Sequence, residues 1–260
     1  MNLDTIISPL PTPLEILLDP ISLTVYTILG SLFIWESLFP ARQLPKIKFW
    51  KLRGLLFFTV FLLLTTYIPL LWDDFFVKFQ LVDLSYLSLT TQIILGIFLF
   101  ELVQYGWHIS MHKSNFLFRV SHQVHHSSER LDVPSTFVFS INDMIGISLI
   151  GSISFAVIMG LSPEAITAVI LSTTFFGVFQ HANINTPRWI GYIIQRPESH
   201  TLHHAKGIHK YNYTDLAIID MLFGTFKNPK THEHETGYYL GASRRLLDML
   251  MFRDVTNQKE

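Results

Sequence analysis

LTTQIILGIFLFELVQYGWHISMH, Leu89 to His112, is the stretch that decides the fold. Leu89–Trp107 is largely apolar and 19 residues long, close to the roughly 20 needed to cross the hydrocarbon core of a bilayer. It runs straight into His108 and His112, which share one face of a helix at i and i+4. Alone, such a pair is a weak sign. At the end of a membrane span, followed by more histidines, it predicts a helical membrane protein with a metal centre at one end.

Four further apolar runs support the membrane reading: Ile21–Phe39, Leu52–Trp72, Met144–Leu161 and Glu164–Phe179. The first two are long enough to span. The last two are shorter and are joined by the turn-like MGLSP around Gly160 and Pro163, so they form a hairpin that either spans or re-enters. The predicted architecture is all-α: a polytopic membrane bundle of about three spans plus the shorter apolar hairpin, with a cytoplasmic helical cap carrying a histidine-rich di-metal site. A single domain is expected, with N-terminal spans over 1–107, the histidine-rich region over 108–235 including the hairpin 144–179, and a C-terminal tail over 236–260. Hydrophobic residues make up 49% of the 260, and charged residues only 15%, against roughly 25% in soluble domains.

Composition also excludes several classes. A net charge of -1 and a pI near 6.9, with no basic stripe, leave no electrostatic basis for nucleic acid. With no cysteine in the chain, disulfides, thiolate ligands and a built-in iron–sulfur relay are ruled out. The first twenty residues hold Asp4, Glu15, Asp19 and four prolines but no Lys or Arg, unlike a cleavable signal peptide. Insertion is therefore expected to rely on the internal spans.

Charge sets the expected orientation. The loop Ala41–Arg53 carries Arg42, Lys46, Lys48, Lys51 and Arg53 and no acid, which predicts a cytoplasmic loop. The next connection, with Asp73, Asp74, Lys78 and Asp83, suits the opposite side. The third span then returns to the cytoplasm at Trp107, so all the histidine clusters fall on the cytoplasmic face. A bacterial inner membrane is favoured over the endoplasmic reticulum because the chain is short and carries no appended targeting or cytochrome segment.

Nine of the twelve histidines lie in four places: HISMH (His108, His112), HQVHH (His122, His125, His126), QHAN (His181) and HTLHH (His200, His203, His204). In each HxxHH box the first and third imidazoles align on a helix, and the middle one is turned about 100° from its neighbour. Adjacent imidazoles are then placed to serve two different metals. All-imidazole ligation suits Zn, Cu, Fe or Ni and disfavours Mg or Ca. Nine donors exceed the four of a closed structural zinc site, so two metals with open positions, and hence chemistry, are expected. His209 lacks the spacing, and His232 and His234 read as solvated tail residues.

Glu101, Tyr105, His108 and His112 line one helix face. A carboxylate in an apolar span marks a functional site: Glu101 is expected either to hold a ligand histidine by its second nitrogen or to pair with a polar neighbour such as Gln104. Asp132, Asn142 and Asp143 are lesser candidates for the same role. Glu129 and Arg130 are expected in solvent. PRWIGYIIQRP, with Trp189 and Tyr192, reads as an interfacial helix, and the hairpin 144–179 would wall the site and admit a chain from the bilayer.

The segments WHISMH, FRVSHQVHHSSERLD, QHANI, RPESHTLHHAKGIHKYNYTD and IIDMLFGTF, in this order from about Phe100 to Asn228, resemble the fatty acid hydroxylase/sterol desaturase superfamily of integral-membrane di-metal oxygenases. The resemblance implies that His108, His112, His122, His125, His126, His181, His200, His203 and His204 bind two metals, commonly iron, with zinc possible in isolated protein. It further implies O2-dependent hydroxylation or desaturation of a lipid drawn from the bilayer, with electrons from NAD(P)H through a separate reductase and carrier. Asn212 matches the family's NY motif, and Asp220, Phe223 and Gly224 its DxxFGT segment. Many members carry Arg-x-His-Pro after the second box. Here STFVFSIND places Val138 and Ser140 there, so the sterol label does not transfer. Three other readings remain: a bis-histidine haem carrier, which has no use for HxxHH doublets; a membrane zinc hydrolase, which usually adds a carboxylate; and a non-catalytic metal- or lipid-binding relative.

Overall fold

The structure, a computed structural model, describes residues 10–258; Asp4 and Pro9 of the cation-free leader lie outside them. Its elements are α1 (Pro13–Leu18), α2 (Pro20–Leu38), α3 (Trp50–Phe76), α4 (Leu89–Lys113), α5 (Asn115–Leu117), α6 (Gln123–His126), α7 (Ile141–Ser152), α8 (Pro163–His181), α9 (Pro197–His203), α10 (Ala217–Leu222) and α11 (Leu246–Leu250). Among the described residues there is no strand, only isolated bridges joining Ile194 to Leu216 and Ala205 to Thr236.

Four helices are long and apolar enough to cross a membrane: Pro20–Leu38, Trp50–Phe79, Leu89–Lys113 and Ile141–Met159. The chain is an integral membrane protein. The last of these is the first arm of the expected apolar hairpin, whose length and composition suit the spanning alternative. Ser140 caps α7 by accepting from the Asp143 amide, which adds residues before Met144, and a π-helical stretch, Ile153–Met159, extends the arm to 19 residues, about 28 Å at 1.5 Å each. α8 is also 19 residues long. Gly160, at φ +47, turns the hairpin, and Ser162 caps α8 with Pro163 at its first position.

Each long helix starts where a side chain can accept the first free amides. Asp19 accepts from Ile21 and Ser22 at the head of α2, and Ser88 accepts from Thr91 at the head of α4. In the bundle α7 lies against α3, while α8 packs between α2 and α4. The core between them joins Val25, Leu32, Phe58, Phe137, Val178 and Phe179.

Polar ties fix the loops over one end of this bundle. Glu36, buried in α2, accepts from the amides of both Val133 and Asn183 at 3.0 Å. Trp50 donates its indole N–H to Asp132 at 2.8 Å, and Asp132 pairs with Arg130 at 2.7 Å. Glu129, expected in solvent, is buried and accepts from Gly241 and from the Ser243 hydroxyl. Arg130 is likewise engaged rather than free. The tail folds back: Tyr238, Met249 and Val255 pack on Val124 and Val138, and the Tyr238 hydroxyl donates to Gln123 O at 2.9 Å. The expected interfacial helix is a short 3-10 turn, Arg188–Tyr192, with Trp189 and Tyr192 exposed.

α3 meets the loop after the second box at Gly54, where a Cβ would stand 2.4 Å from Pro134 O. Gly54→Val should cost about 1–3 kcal/mol of stability, read as a lowered Tm in detergent. Gly30→Ala, with nothing within 4 Å of the new carbon, should leave Tm unchanged.

Candidate metal centre

Four separate elements bring nine imidazoles to the polar end of the bundle. The last turns of α4 supply His108 and His112, and the end of α8 supplies His181. The second box starts in a π-helical turn, Phe118–His122, and continues into α6. The third box occupies α9, which begins at Pro197 with the Pro at its first turn.

The nitrogens form two groups, each with all donor atoms within 4.8 Å of one another. One holds His108, His112, His122, His126 and His203; the other holds His125, His181, His200 and His204. The first and third members of each HxxHH box fall in one group and the middle member in the other. This is the division that a helical turn imposes, since i and i+4 share a face and i+3 of the box is rotated away from i+4.

The tautomers show what the groups lack. Four imidazoles have Nδ1 against an acceptor: His108 on Tyr213 O and His203 on Tyr211 O, both 2.7 Å, His181 on Gly177 O at 2.7 Å, and His122 on the Asp143 carboxylate at 2.8 Å. Each therefore carries its proton on Nδ1, and its Nε2 keeps a lone pair. Yet His108 Nε2 and His122 Nε2 stand 3.0 Å apart. Two facing lone pairs repel unless a cation lies between them. In the same group Nε2 of His112, His126 and His203 has no partner in the protein. In the second group Nε2 of His181 lies 3.2 Å from that of His125 and 3.1 Å from that of His200, and His200 lies 3.0 Å from His204. Spacings near 3 Å suit two nitrogens bound to one metal at about 2.0–2.1 Å each. The residues present fit two metal ions.

The loop after α9 holds these orientations. Tyr211 and Asn212 adopt left-handed backbone, φ 71 and 51, which turns the carbonyls of Tyr211 and Tyr213 toward His203 and His108. Asn212 locks the turn by donating to Ser199 O at 3.0 Å and accepting from the Lys227 amide at 2.8 Å. Asp220 accepts from the amides of Tyr213 and Thr214 and from the hydroxyls of Thr214 and Thr225. Tyr105 stacks on Phe223 at 4.5 Å and meets Tyr213 edge-on at 6.0 Å. Phe223 and Gly224 close the segment, Gly224 at φ +72.

Glu101 is completely buried but reaches no imidazole and does not pair with Gln104; its Oε2 accepts from the Asp215 amide at 2.8 Å. The carboxylate that does hold a histidine is Asp143, brought to His122 by the cap of α7. Asn142 instead donates to Val120 O, and Asp132 serves Trp50 and Arg130. The expected tail residue His232 is half-buried and bridges Thr201 and Ile184 O. The sequence reading also missed His209, whose Nδ1 lies 2.9 Å from His126 Nδ1. It sits in a loop at φ 43, where no helical periodicity could have signalled it.

A membrane-embedded helical bundle ending in two buried all-histidine clusters defines a metal-binding integral membrane protein. The chain belongs to the fatty acid hydroxylase family, whose profile matches residues 93–225 and so takes in all nine imidazoles. It is similar to sphinganine C4-monooxygenase 1 of Arabidopsis thaliana, 27% identical over 165 residues, which cover 59% of this chain and 60% of that protein. The chain thus spans about three-fifths of that relative's length. No solved structure matches it.

Burial first, and then the neighbouring imidazoles, hold His125, His126, His200, His203 and His204 well below the usual imidazole value, and burial draws His209 down to about 4. In the unfolded chain the same groups titrate near pH 6.5. Below about pH 6.5 the unfolded state therefore binds more protons, and the stability of the metal-free protein should fall as pH drops and level off above that value. Thermal unfolding in chelator between about pH 5 and pH 8 checks this. A flat profile would contradict the burial of these rings as neutral groups.

Proposed function

We propose that this chain is a membrane oxygenase that hydroxylates, or desaturates, an aliphatic C–H bond of a lipid, using O2 and electrons supplied by a separate carrier. The observation that carries this reading is the pair of lone-pair-rich imidazole clusters opening on an apolar cavity. That cavity, about 160 Å³, is lined by Phe61, Phe100, Phe137, Phe139 and Ile147 on one side and by His108, His122, His125, His181 and His200 on the other. Family membership supports lipid oxidation, and the printed activity of the plant relative, a sphinganine monooxygenase, supports a long-chain lipid.

His108, His112, His122, His126 and His203 are the proposed ligands of one metal, and His125, His181, His200 and His204 of the other, with iron the metal proposed for both. When bound, the two ions would supply the means of reducing O2 and removing hydrogen from an unactivated carbon. The protein's part is to keep the imidazoles neutral by burial and to aim Nε2 by tying Nδ1 to carbonyls and Asp143. Glu101, Tyr105, Asn212 and Asp220 are positioning residues that act through the loop 211–215. The apolar walls from α3, α4, α7 and α8 would exclude water and take the lipid chain.

With no cysteine, the chain has no thiolates for an iron–sulfur relay, and the proposed source of electrons is NAD(P)H through a separate reductase and carrier. A cytoplasmic location for the centre is supported by the acid-free basic loop 41–53, which is joined to the histidine end by the bond from Ala41 N to Asn183 O at 2.9 Å and by Trp50 on Asp132.

Elemental analysis of protein extracted gently in detergent should find about two metal ions per chain, most simply iron. His204→Ala takes one ligand from the group of four and should bring the content to about one. His203→Ala takes one of five and should retain more metal than His204→Ala. A well-folded chain without metal would overturn the proposal. Separately, Asp143→Asn leaves the shape but weakens the hold on His122 Nδ1–H and should lower metal affinity about 10- to 100-fold in a chelator competition.

A further inference from the structure

Three of the five imidazoles in the first group, His108, His122 and His203, are anchored by Tyr213 O, the Asp143 carboxylate and Tyr211 O. The other two, His112 and His126, find their anchors at a single residue that belongs to neither group. His126 sets its Nδ1 2.9 Å from Nδ1 of His209, and the His112 ring donates to the backbone carbonyl of His209. In both rings Nε2 is left without a partner in the protein, as it is in His203.

The direction of the bond between His126 and His209 follows from ligation. A ring that offers Nε2 to a metal carries its proton on Nδ1. His126 therefore donates, His209 accepts, and His209 is the neutral tautomer protonated on Nε2. Its backbone is set for this part. The turn that follows the third box runs through positive φ at Gly207 (75), His209 (43) and Tyr211 (71), with the His209 amide donating to Ala205 O at 3.3 Å. Left-handed backbone at a non-glycine residue persists where its surroundings hold it. Here the ring stands edge-on to His126 at 4.9 Å and packs on Tyr238 at 5.2 Å and Phe118 at 6.4 Å. The second group has no such device: His181 is tied to Gly177 O, whereas Nδ1 of His125, His200 and His204 is unpaired. What His209 does, it does for one group only.

We propose that His209 is a positioning residue for the metal of the first group, its ring aiming His126 and its carbonyl aiming His112, without itself belonging to the group. The proposal rests on the reading of the two groups as metal sites and adds a tenth histidine to the machinery of one of them. An acceptor on the far nitrogen fixes the tautomer and orientation of a ligand imidazole and raises its basicity, which strengthens the bond to the metal.

The test is chelator titration of zinc-loaded protein in detergent for wild type, His209→Leu and His209→Asn. Each is also made in a His204→Ala background, where the ion that remains is that of the first group. Leu removes the acceptor, whereas Asn keeps a carbonyl oxygen close to the place of Nδ1 and tolerates positive φ. In the His204→Ala background, His209→Leu should weaken zinc about 10- to 100-fold, and His209→Asn should stay within about threefold of the parent because one neutral bond replaces another. With His204 present, one of two zincs should loosen in His209→Leu and the other should keep its wild-type affinity. If His209→Leu does not fold, His209→Gly removes the ring while keeping the turn and the carbonyl, and the same loss is expected. Unchanged affinity without the acceptor, equal weakening of both zincs, or a His209→Asn as weak as His209→Leu would each overturn the positioning role. Two zincs in wild type with no change in the variants would sink this inference alone. A wild type that binds no zinc would overturn the metal centre, and the positioning role with it.

Discussion

The structure depends on bringing nine imidazoles together at two points, eight of them buried and His112 half-buried. Neutral rings packed nitrogen to nitrogen at 3.0–3.2 Å repel through their lone pairs, and each wrong tautomer would remove a donor. The second ring nitrogen is therefore the controlling atom. Carbonyls of Tyr211, Tyr213 and Gly177 and the carboxylate of Asp143 fix it in four rings. Three of these four anchors come from elements other than the one bearing the histidine they hold, so the centre forms only when the tertiary structure does.

The polar residues outside the clusters make sense as the scaffolding for those anchors. Asp220 gathers two amides and two hydroxyls to shape a loop in which two successive residues, Tyr211 and Asn212, have positive φ. Left-handed backbone at non-glycine residues is strained and persists where surroundings over-determine it. Glu36 plays the matching part on the other side, holding the loops after His126 and after His181 with one carboxylate oxygen. A buried carboxylate that accepts two amide bonds joins segments about a hundred and a hundred and fifty residues away, which ties the first span to the centre although it contributes no histidine.

Membrane and chemistry meet at α4 and α8. α4 is long and apolar enough to span, α8 is a largely apolar helix, and both end in polar turns beside the cavity. The lipid-facing lengths of α2 and α3 expose large apolar side chains such as Leu55, Leu56 and Leu71, as surfaces bathed in acyl chains do. The hairpin of α7 and α8 both walls the cavity and delivers Asp143 and His181 to the two groups, so that apolar surface and nitrogen meet in one cavity.

The spans, the histidines and the partition of each HxxHH box between two clusters were legible in the sequence, because hydropathy and the 3.6-residue period are local properties and about 100° of rotation separates neighbouring rings whatever the fold around them. Asn212 and Asp220 were visible as motif residues, though not why they matter. The tertiary structure alone decided that Asp143 and not Glu101 holds a histidine, that Glu129 and the tail are packed, and that His209 reaches His126. Those contacts join residues 21 to 114 positions apart, and no periodicity connects such residues. The anchoring of the second nitrogen depends on where distant carbonyls come to lie, and that is set by packing.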